Sequence, residues 1–142
     1  MPVSVEVSTV IDRPVSQVFR FFADEHVRNR PRWDPDMHLE QVSDGPIGVG
    51  TVIRRRNTHF ATPVEGTMEV VEFERHAAMG VVIHDGTCET RSRVTFEAVS
   101  PEQTELVIRA EMMDLDESFA SHITSMVERS ARNIKRLFES ET

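Results

Sequence analysis

The 142-residue chain carries a formal net charge of −8 and one cysteine, Cys88. The acidic balance argues against a nucleic-acid surface, which needs a basic footprint, and a lone cysteine rules out a disulfide framework within the chain. No apolar run approaches the ~18 residues of a membrane span, and Met1 to Glu6 has neither the basic start nor the apolar stretch of a signal peptide, so one cytoplasmic domain over residues 1–142 is expected.

Val3, Val5 and Val7 alternate with Ser4, Glu6 and Ser8, the period-two pattern of a strand with one buried face. Asp12-Arg13-Pro14 stops it. Pro14 suits the first residue of a helix carrying Val15, Val18, Phe19 and Phe22. Asp24 is placed to cap a second short helix to about Asn29, which Pro31 ends. Arg30 to Asp36 is a compact turn region holding the single Trp, Trp33. Met37 to Val42 reads as a short strand. Ser43 to Gly50 is a loop with three glycines and a proline, and it lacks the spacing and the Lys of a phosphate-cradling motif.

Five strands on short turns follow: Thr51 to His59, Val64 to Glu74, Ala77 to His84, Thr87 to Val99 and Thr104 to Met113. Asp85-Gly86 is a two-residue hairpin signal, because both central residues of a type I′ turn need positive φ. The chain closes on one long amphipathic helix over 115–138. Leu115, Phe119, Ile123, Met126, Ser130, Ile134 and Leu137 recur in steps of three and four. Asp114 and Glu117 resemble a capping box, and Arg129, Arg132, Lys135 and Arg136 load the last turns, both suiting the helix dipole. About 24 residues at ~1.5 Å each give a rod of ~36 Å. The fold class is α+β: a meander of about six or seven antiparallel strands with helices on one face.

This order resembles the helix-grip fold of the START-like (SRPBCC) superfamily, and within it the polyketide cyclase/dehydrase group. Three local features carry the likeness besides topology. Val7 to Phe19 resembles the family's opening, a strand into a Pro-started helix. Arg32-Trp33-Asp34-Pro35 resembles its Trp-Asp/Pro turn, and Gly48-Val49-Gly50-Thr51 resembles the Gly-Gly-Thr start of its third strand. The resemblance implies a curved sheet wrapped round the last helix and a deep cavity between them. Members bind lipids, sterols, polyketides or other apolar molecules there, as carriers, sensors or enzymes. It implies no universal catalytic set, since function belongs to the site and not the fold.

Strand parity and the helix stripe nominate the cavity lining. The helix offers Phe119, Ile123, Met126 and Ser130, and the last strand Ala110 and Met112. On the strand before it, Val94 and Phe96 set the inward parity, which also turns Cys88, Thr90 and Ser92 inward. A polar end to an apolar cavity suits an amphipathic ligand; the alternative is that Thr90 and Ser92 bond neighbouring backbone. Trp33 is either a packing anchor or part of the entrance. Arg54-Arg55-Arg56 alternates faces. If Ile53 is inward, so is Arg55, and a buried Arg needs a partner: Glu65, Glu69 or Glu89, or a ligand carboxylate or phosphate. The other reading of this run is a solvated stripe.

The six histidines show no metal-ligand spacing, so no metal and no cofactor are expected. Cys88 reads as a small buried thiol unless His84, across the turn, serves it as a base. His122 beside Asp114, Asp116 and Glu117 is an acid/base candidate or solvent-facing. The expected function is binding of an apolar or amphipathic small molecule, lipid- or polyketide-like, by a monomer or homodimer. The alternatives are a polyketide cyclase/dehydratase-type enzyme in the same cavity, which needs an inward acid/base group with a matched pKa, and a regulatory domain with a filled cavity.

Overall fold

The computed structural model describes residues 3–58, 62–86, 88–113, 118 and 120–140. Seven strands form one antiparallel sheet: β1 (Val3–Ile11), β2 (Met37–Gln41), β3 (Val52–Asn57), β4 (Val64–Glu74), β5 (Ala78–Asp85), β6 (Cys88–Ser100) and β7 (Gln103–Met112), in the order β1-β7-β6-β5-β4-β3-β2. The consecutive run from β2 to β7 is the meander that short turns dictate. The register slips between Val70 and Glu72 and between Ala98 and Ser100. Val71 and Val99, the residues at those slips, are two of the few large apolar side chains left exposed. Bulges of this kind bend a sheet, and this sheet curves around the terminal helix α3 (Ala120–Ser140).

The two short helices expected after β1 are present, and they follow one another without an intervening loop. α1 (Val15–Phe19) continues into a π-helical turn, Arg20–Asp24, closed by Glu25 N–H donating to the Arg20 carbonyl at 2.9 Å. α2 (His26–Trp33) then runs past Pro31 to Trp33. Pro31 lies only two residues from the helix end, so it forfeits a single hydrogen bond of the last turn. Asp24 does not cap α2. Its carboxylate takes both Nη groups of Arg75, at 3.1 and 3.2 Å, pinning the β4–β5 turn to the π-helical turn. Asp85 likewise is not in a turn. It ends β5 and pairs with Cys88, leaving Gly86, at φ 61°, in the connection.

α3 is buried unevenly, for a physical reason that bears on function. Ala131, Ile134 and Phe138 in its C-terminal half are buried, and Phe138 packs 4.7 Å from Phe21. Ile123, Met126, Val127 and Ser130 in its first half are only half-buried. The helix ends at Ser140, two residues beyond the sequence expectation. The Asp114–Glu117 box, Leu115, Phe119 and His59 lie outside the described residues. No described helix is long and apolar enough to cross a membrane.

Candidate functional site

A cavity of about 490 Å³ lies beneath the first half of α3. Its walls come from the concave faces of β2 to β7, and α2 closes one end. Of the twelve residues nominated from sequence, Trp33, Arg55, Cys88, Thr90, Ser92, Ala110, Met112, Ile123, Met126 and Ser130 stand on this wall. Phe96 does not. It shares the parity of Cys88, Thr90 and Ser92 but sits further along β6, in an aromatic cluster with Phe19 at 5.0 Å and Phe22 at 5.7 Å. Phe119 lies outside the described residues.

Five methionines contribute to the wall: Met37, Met68, Met79, Met112 and Met126. Unbranched thioether side chains adapt to irregular apolar shapes, so this lining can remould around an occupant. Only the last two are legible from sequence, because the others face inward through strand pairings that are not local.

The polar end gathers where β3, β5 and α2 meet. Arg55 is 6 % exposed, and its Nε and Nη2 donate to Asp85 Oδ1 and Oδ2 at 2.9 and 3.1 Å. This corrects the expected partners. Glu65 and Glu69 are exposed on the other face of β4, and Glu89 pairs with Arg91. Arg54 and Arg56 are exposed, as alternation requires. Arg55 and Asp85 stand two strands apart, each in register with Gly66 of β4. A Cβ at Gly66 would overlap the His84 carbonyl and the Asp85 carboxylate. Glycine is what lets the guanidinium cross β4.

α2 supplies three more polar groups. His26 is buried, and its Nδ1 lies 2.8 Å from the Phe22 carbonyl. A carbonyl only accepts, so Nδ1 carries the proton. Burial, with Arg30 and then Arg55 nearby, lowers the ring's pKa to about 3, so at neutral pH it is uncharged and Nε2 is an acceptor. Arg30 is also lowered by burial, to about 10, and stays charged, with Nη2 3.4 Å from Asp34. Trp33 is a packing anchor that also forms cavity wall: it is 1 % exposed and stacks on Phe22 at 5.2 Å with 12° between planes.

His26 and Arg30 were not nominated. The signal was there: Phe22, His26, Asn29 and Trp33 recur in steps of four, three and four. Breaking the helix at Asp24 and Pro31 concealed it. Ser92 Oγ donates to the Arg109 carbonyl at 3.2 Å, the backbone bond that was one of its two readings. His122 and His84 are exposed, and His84 Nε2 lies 3.9 Å from Glu89 rather than serving the thiol. No group of three metal-ligating side chains occurs among the described residues.

A curved seven-stranded sheet gripping a terminal helix, with an apolar cavity between them, defines the helix-grip class of START-like proteins. The fold matches a START superfamily protein from Mycobacterium smegmatis with a TM-score of 0.82 at 11% identity, over 98% of this chain and 99% of that one. It matches norcoclaurine synthase from Thalictrum flavum, solved with dopamine and hydroxybenzaldehyde, at 0.73 and 13% identity, over 100% and 89%. It matches the di-domain ARO/CYC protein BexL from the BE-7585A biosynthetic pathway at 0.75 and 18%, over 96% of this chain and 46% of that one. No curated protein matches the sequence. Residues 2–139 match the sequence model of the family described as polyketide cyclase / dehydrase and lipid transport, and the chain belongs to that family. Family and fold fit hydrophobic-ligand binding or a polyketide-cyclase-type role.

Proposed function

We propose that the protein binds an amphipathic small molecule, lipid- or polyketide-like, with its apolar body under the first half of α3 and its polar head toward Arg55 and His26. The observation that carries this reading is the cavity itself: about 490 Å³, mostly apolar, with its polar groups at one end. That size and distribution are those of small-molecule sites. The half-buried first turns of α3 fit a helix that covers a ligand rather than a packed core.

The family description also supports a second reading, a cyclase or dehydratase acting in the same cavity. Such chemistry is served best by a group that exchanges protons near the working pH. His26, with a pKa of about 3, is mismatched by several units. Asp34 and Asp85 are each held by an arginine. Binding is therefore the preferred reading.

Native mass spectrometry of the purified protein, joined to titration with the uncharged dye Nile red, tests it. A discrete added mass, or saturable dye fluorescence at one site per chain, is expected. A clean apo mass with no saturable dye binding would overturn the proposal.

A further inference from the structure

We infer that the cavity selects an uncharged ligand whose head presents a carbonyl to Arg55 Nη1 and a hydroxyl to His26 Nε2. This rests on the proposed binding function and adds the chemistry of the ligand's polar end.

The first support is hydrogen-bond capacity left over. Asp85 occupies Nε and Nη2 of Arg55, and Nη1 has no partner among the described residues. His26 spends Nδ1 on the Phe22 carbonyl, and Nε2 likewise has no partner among them. Arg30 Nε and Trp33 Nε1 are enclosed without a partner. Arg55 and His26 are more than nine-tenths buried and both line the cavity, so an occupant of the cavity is the group placed to meet these two atoms. A buried donor or acceptor left unused costs free energy, and a ligand oxygen recovers it.

The second support is charge. Two guanidiniums and two carboxylates line this end, and they are matched: Arg55 with Asp85, Arg30 with Asp34. A ligand carboxylate would enter beside two carboxylates and find no uncommitted cation. A ligand ammonium would meet two guanidiniums. Neither has its desolvation repaid, whereas a neutral hydroxyl and carbonyl meet one acceptor and one donor. The ligand anion considered for Arg55 from sequence is thereby disfavoured.

The test uses Nile red displacement from the full chain by 3-hydroxyflavone and 7-hydroxyflavone, by their methyl ethers, and by 3-methylflavone-8-carboxylate. At least one hydroxyflavone should bind about tenfold more tightly than its ether, the scale of one buried hydrogen bond, and the carboxylate should compete worst. His26→Phe should bring alcohol and ether to parity. Arg55→Lys, which keeps a cation beside Asp85 but removes Nη1, should weaken every flavone relative to the dye. The ligand pairs act on the wild-type chain, so the inference stays falsifiable even where a variant fails to fold. Equal displacement by alcohols and ethers, or a carboxylate that competes as well as they do, overturns this inference while leaving cavity binding intact. Failure of Nile red to bind at all overturns both.

Discussion

Arg55 reaches Asp85 across an intervening strand because that strand carries Gly66 between them. The same arrangement recurs on the outer face, where Arg93 of β6 crosses Gly80 of β5 to reach Glu72 of β4 at 2.8 and 3.1 Å. The two pairs share a geometry and differ in burial. Arg55 is 6 % exposed, whereas Arg93 is 47 % exposed.

Gly66→Ala should be among the most damaging single-methyl additions to this sheet. The new Cβ meets the His84 backbone, which cannot swing aside as a side chain can. A loss of about 2–3 kcal/mol, the range of overpacking a tight site, is expected. Gly80→Ala meets Glu72 Cβ at 3.0 Å and Oε1 at 3.2 Å, a contact that a local shift of a few tenths of an ångström relieves, unlike the overlap with backbone at Gly66. It should cost under about 1 kcal/mol, no more than a surface ion pair is worth. Urea denaturation of both variants checks the order, and equal losses would contradict it.

Arg55→Ala should destabilise by about 3–5 kcal/mol, because it strands a largely buried carboxylate. The double variant Arg55→Met with Asp85→Leu should recover much of that loss, since neither charge is then left alone. A double-mutant cycle measures the recovery. Strict additivity would mean that the two side chains do not depend on each other.

His26 makes the fold sensitive to acid in a defined window. Its pKa is about 3 when folded against an ordinary 6.5, so between those values the unfolded chain binds the extra proton. The neutral ring's contribution is complete above pH 6.5 and is lost as pH falls toward 3. A gap of about 3.5 pH units corresponds to ~5 kcal/mol at 1.36 kcal/mol per unit, as an upper scale. Chemical denaturation at pH 7, 5 and 4 should show falling stability with a slope that His26→Phe reduces. An unchanged slope in that variant would assign the acid sensitivity to the carboxylates.

Much of this architecture is legible in the sequence because its signals are local. The strict alternation of β6 puts Cys88, Thr90, Ser92 and Val94 on one face, and the three-four spacing of α3 puts Ile123, Met126 and Ser130 on another. What escapes is whatever depends on pairing between distant segments. The partner of Arg55 is 30 residues away and is fixed by two strand registers, which no spacing reveals. Asp85 also looks like a turn residue, because Asp-Gly is so strong a turn signal. His26 is concealed because Asp24 and Pro31 look like helix boundaries, whereas the helical turns run on through both. Phe96 shows the limit of parity: it gives the face of a strand but not how far along that face the open space extends.

That open space predicts opposite outcomes for two similar substitutions near α3. Ala110 faces the cavity, and about 490 Å³ leaves room for an added ring. Ala110→Phe should therefore change stability by less than about 1 kcal/mol, since burying an aromatic ring offsets any local strain. It should also weaken Nile red binding at least tenfold by occupying the ligand's volume. Ala131, in the same cluster as Ile134 and Phe138, is 3 % exposed and close-packed. Ala131→Phe should cost about 2–3 kcal/mol or more, because a packed core must move to admit the ring. Denaturation midpoints and dye titrations on the two variants separate the hollow half of the helix from the filled half. Comparable destabilisation at both sites would mean that the first half of α3 covers a packed core and not a binding cavity.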